Sequence, residues 1–150
     1  MHLNDSFVEH VTHLRVRYAD TDKMGVVYYG KYFEYFEVAR TEMLRACGLP
    51  YAEIEADGYG LPVLEASARY MKGAKYDDLL RINVRMEAAV RARLVIDYGV
   101  YLEATNELIA EGKTTLAFIS TETGRPSRPP AIYATALTNY IEQRRATYTE

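Results

Sequence analysis

Two carboxylates, Asp20 and Asp22, stand in the loop Asp20-Thr21-Asp22-Lys23-Met24-Gly25-Val26-Val27-Tyr28-Tyr29, immediately ahead of the longest helical stretch in the sequence. A helix N-terminus offers unpaired backbone N–H groups and the positive end of a dipole, which together suit developing negative charge. A carboxylate beside such a place could activate water or attack a carbonyl, while the Tyr29 N–H and its neighbours hold the oxyanion. The same Asp-x-Asp spacing also describes capping, with Asp20 closing a turn and Asp22 capping the helix or its loop. From spacing alone capping is the commoner meaning, and both readings stand.

Other residue types offer less. Cys47 falls at a helix end among apolar neighbours, where a small core residue is the expected role. His2, His10 and His13 are scattered near the N-terminus without metal-ligand spacing, so no metal site is expected. There is no Gly-x-Ser-x-Gly elbow and no phosphate-binding glycine loop. The 14 tyrosines are expected mainly in core and interface, with some near the helix lining any pocket.

The elements that must position the loop follow from periodicity. A helix is predicted from Gly30 to Cys47, about 26 Å long, stopped by Gly48-Leu49-Pro50. Tyr32, Tyr35, Phe36, Ala39, Met43, Ala46 and Cys47 share one face, Phe33 and Leu44 widen it, and only a strip through Glu34, Thr41 and Arg45 reads as solvated. Such a helix needs a wrapper, and the strands supply one. Leu14, Val16 and Tyr18 alternate with His13, Arg15 and Arg17. Tyr51 to Asp57 reads as a helical turn and Pro62 to Lys72 as a strand. Leu80 to Ala88, Leu94 to Leu102 and Leu108 to Ser120 read as three further strands, the last entered by a turn at Thr105-Asn106. Pro130 suits the start of a C-terminal helix with Ile132, Ala136, Leu137, Tyr140 and Ile141 on one side. The expected architecture is α+β, an antiparallel sheet curled round one central helix, in a single domain over residues 1–150. Open sheet edges also invite pairing between subunits.

Composition excludes some partners. Eighteen Lys+Arg against 21 Asp+Glu leave a net charge of -3, which favours neither nucleic acid nor an anionic membrane. One cysteine makes no internal disulfide, no stretch reaches the length of a membrane span, and Met1 to Ser6 lacks the regions of a signal peptide. The cytoplasm is the expected address.

Residues 18 to 47 resemble the signature of hotdog-fold acyl-CoA thioesterases of the hydroxybenzoyl-CoA and Tol-Pal-associated type. Tyr18, Asp20, Thr21, Asp22, Gly25, Val27, Tyr28, Tyr32, Tyr35, Phe36, Glu37, Ala39, Arg40, Glu42, Leu44 and Arg45 carry the match. The resemblance implies a hotdog fold with a five-stranded sheet, a homodimer whose sheets pair, often a dimer of dimers, and hydrolysis of acyl-CoA. It implies Asp22 as the catalytic carboxylate, nucleophile or base, and Tyr29 as the residue whose backbone N–H polarises the carbonyl. It departs from many relatives at Tyr29, where they carry His, and at Lys31, where they carry Asn. Arg91 and Arg93, between two strands, lie near where relatives hold the phosphates of CoA; a solvated hairpin tip is the alternative. Glu37 is expected to orient the site or pair with Arg40. CoA enters only as part of the substrate, with no separate cofactor, and acyl carrier protein is a further partner to consider. The alternative on the same fold is a non-catalytic acyl-CoA or acyl-carrier-protein binding module. A hotdog hydratase fits less well, since its His and Asp motif is absent.

Overall fold

The computed structural model describes residues 6–149, with side chains to residue 147; His2 and almost all of the N-terminal stretch Met1 to Ser6 lie outside them. The elements are β1 (Phe7–Arg15), α1 (Lys31–Ala46), α2 (Tyr51–Ala56), β2 (Tyr59–Gly60), β3 (Val63–Tyr70), β4 (Leu79–Glu87), β5 (Arg93–Leu102), β6 (Glu107–Ala117), β7 (Ile119–Ser120) and α3 (Ala131–Thr149). Five strands form one antiparallel sheet in the order β1-β4-β5-β6-β3, and β2 pairs with β7 in a small second sheet. This is the hotdog arrangement expected from residues 18 to 47. Among the described residues, no helix is long and apolar enough to cross a membrane.

Period-2 alternation becomes burial directly. Along β4, Leu80, Ile82, Val84 and Met86 are buried, and along β5, Leu94, Ile96, Tyr98 and Val100 join them. Burying one such side chain is worth about 1.5–3 kcal/mol. Phe36 of α1 stacks on Tyr98 with ring centroids 4.3 Å apart, so the helix sits directly on the sheet. The helix ends as its sequence requires. Gly48 takes φ +80°, and the Leu49 N–H reaches back to the Leu44 carbonyl at 3.0 Å.

Two expectations need correction. The first strand begins at Phe7 and ends at Arg15, rather than running to Tyr18. Val16 still exchanges hydrogen bonds with Asp77 and Asp78, but Tyr18–Asp20 then closes into a single 3₁₀ turn. The helix is also less enclosed than its side chains suggest. Tyr32, Tyr35, Phe36, Ala39, Met43 and Leu44 are buried, but Phe33, Glu37, Val38 and Ala46 are exposed together with Glu34 and Arg45. Five strands wrap one side of α1 and leave the other uncovered.

The two edges of the sheet differ. On the β1 edge, the Arg144 guanidinium donates to the Phe7 carbonyl at 2.7 Å and the Tyr140 hydroxyl to the Glu9 carbonyl at 3.2 Å, so α3 shields that edge. Strand β3 has no such cover among the described residues, and seven of its eight residues are exposed. Its neighbour β6 meets α1 at Gly112, where a side-chain carbon would press on the Phe36 ring and lie 2.9 Å from the Ser67 carbonyl oxygen. Gly112→Ala is therefore expected to cost about 1–3 kcal/mol by overpacking, measured as a lower urea midpoint with unchanged slope.

Candidate active site

The loop before α1 is held by Asp20. Its carboxylate is 2% exposed and accepts the Arg17 N–H at 3.1 Å, the Arg17 guanidinium at 3.1 Å and the Tyr35 hydroxyl at 2.8 Å. Burial works to raise the Asp20 carboxyl, but those three hydrogen bonds and the Arg17 charge outweigh it and hold the group below its ordinary value. Burial and the bond to Asp20 push the Tyr35 phenol the other way, so it stays a donor. The Asp20 carbonyl meanwhile accepts the Tyr28 N–H at 2.9 Å. One residue thus ties the turn at Arg17, the second turn of α1 and the approach to the helix.

Asp22 sits inside the loop so closed. Thr21 bridges to Val27, the Asp22 N–H donates to the Val26 carbonyl at 2.9 Å, and the Asp22 Oδ1 accepts the Met24 N–H at 2.9 Å. The tight reversal passes through Gly25 at φ +79°. Asp22 is half-buried, and its second carboxylate oxygen accepts nothing from the described residues. Both aspartates therefore do cap turns, but Asp20 is consumed by the fold and Asp22 keeps an open oxygen.

The head of α1 starts with 3₁₀-like bonds. The Lys31, Tyr32 and Phe33 N–H groups donate to the Tyr28, Tyr29 and Gly30 carbonyls at 2.9, 3.3 and 3.3 Å. The N–H groups of Tyr29 and Gly30 come just before these and find no acceptor among the described residues. The Val27 N–H donates to the Ala74 carbonyl at 2.8 Å, which braces this segment against the connection after β3. Tyr29 itself is an exposed ring, tilted against Tyr28 at 4.5 Å.

The remaining candidates lie elsewhere. Lys31 pairs with Glu34 at 3.0 Å and approaches Asp20 at 3.9 Å. Arg91 is exposed and paired with Glu87 at 3.2 Å; Arg93 is exposed at the first position of β5, in no ion pair among the described residues. Within one chain these arginines stand at the far end of the sheet from Asp22, because Leu79 and Asp78 adjoin the loop while Glu87 precedes the tip. Glu37 does not form the expected pair with Arg40: among the described residues it has no ion pair, and Arg40 lies by the Tyr98 hydroxyl. Cys47 is buried, and burial pushes its thiol to about 11, as suits a core residue. Sequence reasoning missed a cavity of about 260 Å³ between α1 and the sheet, with Glu37 and Arg40 at its rim and Leu61, Leu94, Ile96 and Leu116 among its walls. Alternation marks the last three only as sheet core.

Residues 16–137 match the model of the thioesterase-like superfamily. The chain belongs to that family. Among its relatives is the acyl-CoA thioester hydrolase YbgC of Escherichia coli O6:H1, 30% identical over 117 residues that make up 78% of this chain and 87% of that protein. The acyl-CoA thioesterase YneP of Bacillus subtilis, so named provisionally, is 29% identical over 75% of this chain and 81% of its own. Among solved structures, the DHNA-CoA thioesterase of Staphylococcus aureus superposes with a TM-score of 0.82 at 31% identity, covering 93% of this chain and 95% of that one. With relatives and a solved structure named as thioester hydrolases, this chain is a thioester hydrolase.

Because the Asp20 carboxyl is held below its unfolded value of about 3.9, its stabilisation is present above that pH and lost as pH falls through the lowered folded value. Asp20→Asn is expected to cost of order 2 kcal/mol at pH 7. The gap from the parent should narrow as denaturation is repeated below about pH 4.

Proposed function

We propose that this thioesterase hydrolyses acyl-CoA, with Asp22 as the reacting carboxylate and the Tyr29 N–H as oxyanion donor, in a homodimer joined along β3. The observation that supports this most is that one loop, whose flanks Thr21 and Val27 bridge, carries both a carboxylate with an open oxygen and backbone donors without acceptors among the described residues. As general base, Asp22 takes a proton from water as the water oxygen bonds to the acyl carbon; the C–S bond then breaks and the proton goes to the leaving thiolate. As nucleophile, Asp22 bonds to the same carbon, the C–S bond breaks to release a thiolate that takes a proton from water, and the anhydride left behind is opened by a second water. In both routes the carbonyl oxygen gains charge beside the amide donors.

The dimer is argued from the bare edge. β3 offers unpaired backbone along one side, and Leu64 and Tyr70 on it and Met71 just beyond it are exposed. A two-fold axis normal to the sheet would pair β3 with its mate antiparallel. The register places Val63 level with Leu116 and Leu94, and Tyr70 level with Ala110 and Val100, about 23 Å further along. Antiparallel pairing therefore sets the Asp22 end of one protomer against the Arg93 and cavity end of its partner. In that arrangement Arg91 and Arg93 reach the CoA phosphates and the apolar cavity takes the acyl group. An acyl carrier protein would present the same thioester, and the cytoplasm is the address that supplies both; tetramers would add a second dimer without changing the seam.

Asp22→Asn is expected to lower kcat at least about a hundredfold on whichever of a panel of short, medium, long and aromatic acyl-CoAs the parent hydrolyses, followed by trapping free thiol. Full turnover by the variant would remove Asp22 from the chemistry. Ala66→Arg, on the open edge, should convert a sedimenting dimer to monomer and abolish turnover; an active monomer would contradict the shared site.

A further inference from the structure

Tyr70 closes β3, and its hydroxyl donates to the Tyr29 carbonyl at 3.0 Å across 41 residues of sequence. Among the described residues that carbonyl otherwise accepts only the long 3.3 Å bond from the Tyr32 N–H. The Tyr29 carbonyl and the Gly30 N–H belong to one planar trans peptide, so the two point in opposite directions. Whatever fixes the carbonyl along the helix fixes the Gly30 N–H outward from its head. A hydrogen bond to the carbonyl also polarises the peptide and strengthens its N–H as a donor.

We infer that Tyr70 is a positioning residue for the hydrolysis, its hydroxyl holding the Tyr29–Gly30 peptide so that the Gly30 N–H joins the Tyr29 N–H at the oxyanion. This rests on the thioesterase reading of the Asp22 loop and adds a second donor to it. The Tyr70 ring is set by its neighbours, with centroids 6.5 Å from Tyr29 and 5.2 Å from Tyr32. Burial, then the nearby Tyr29, raises the Tyr70 phenol above its ordinary value, so it remains protonated and donating at neutral pH. Because Tyr70 lies on the open edge, the same hydroxyl links the oxyanion donors to the strand through which two protomers would meet.

Tyr70→Phe keeps the ring and removes the hydroxyl. The expected result is a kcat about tenfold lower with KM within about twofold and Tm nearly unchanged; a packing role alone would lower Tm or move KM instead. A second readout does not need activity. The sequence has three Tyr–Gly peptide bonds, at 29–30, 59–60 and 98–99, so protein labelled with carbonyl-¹³C tyrosine and ¹⁵N glycine gives three cross-peaks. The 29–30 peak, identified by its loss in Gly30→Ala, should shift in Tyr70→Phe while the other two stay. Unchanged kcat, or no shift of that peak, in a parent that hydrolyses acyl-CoA would overturn the inference and leave the thioesterase reading intact. A parent with no turnover on the acyl-CoA panel would overturn both.

Discussion

The buried Asp20 carboxylate is the interaction on which the site depends. It gathers the amide and guanidinium of Arg17, just past β1, and the phenol of Tyr35 in the second turn of α1, and so ties the 3₁₀ turn to the helix. An ionised group this deep is tolerable only when its lone pairs are satisfied, and removing one partner would leave the others costly. The constraint therefore works in both directions. The fold holds Asp20 charged, and charged Asp20 holds the loop that presents Asp22 and the head of the helix.

That division of labour explains why one aspartate is free for chemistry. Asp20 has spent its oxygens on structure, whereas Asp22 caps only its own tight turn and keeps an oxygen open. The amide donors arise the same way. The first turn of α1 satisfies its own N–H groups by short-range bonds, which moves the unpaired donors back to Tyr29 and Gly30, where the loop arrives. The proposed seam would complement this geometry, because the loop stands at one end of the sheet and the arginines and apolar cavity at the other.

Much of this was legible in the sequence, and the limits have physical reasons. Alternation located β4 and β5 within a residue or two, and Gly48-Leu49-Pro50 marked the helix end, since both signals are local. The Asp-x-Asp spacing pointed to the loop but could not rank its members, because the Tyr35 that engages Asp20 becomes visible as a partner only once the helix is placed. Phe33 and Val38 made α1 look more enclosed than it is; an apolar residue reads alike whether its own sheet or another protomer covers it. Tyr70 is likewise an ordinary strand residue in one dimension and Arg93 a residue of a strand connection, and only the register of β3 with β6 and β5 shows at which end each lies.

The most direct measurement of the central claim, that one working site draws on two protomers, is complementation in mixed dimers. Asp22→Asn protein is combined with protein in which Arg91 and Arg93 are both alanine, each poorly active alone on saturable acyl-CoA concentrations. The account predicts that mixing and subunit exchange restore activity, since one of the two sites at the seam then holds Asp22 from one chain and both arginines from the other. No recovery despite demonstrated exchange would contradict it, because a site built from the carboxylate and the arginines of one chain stays defective in both halves of every mixed dimer.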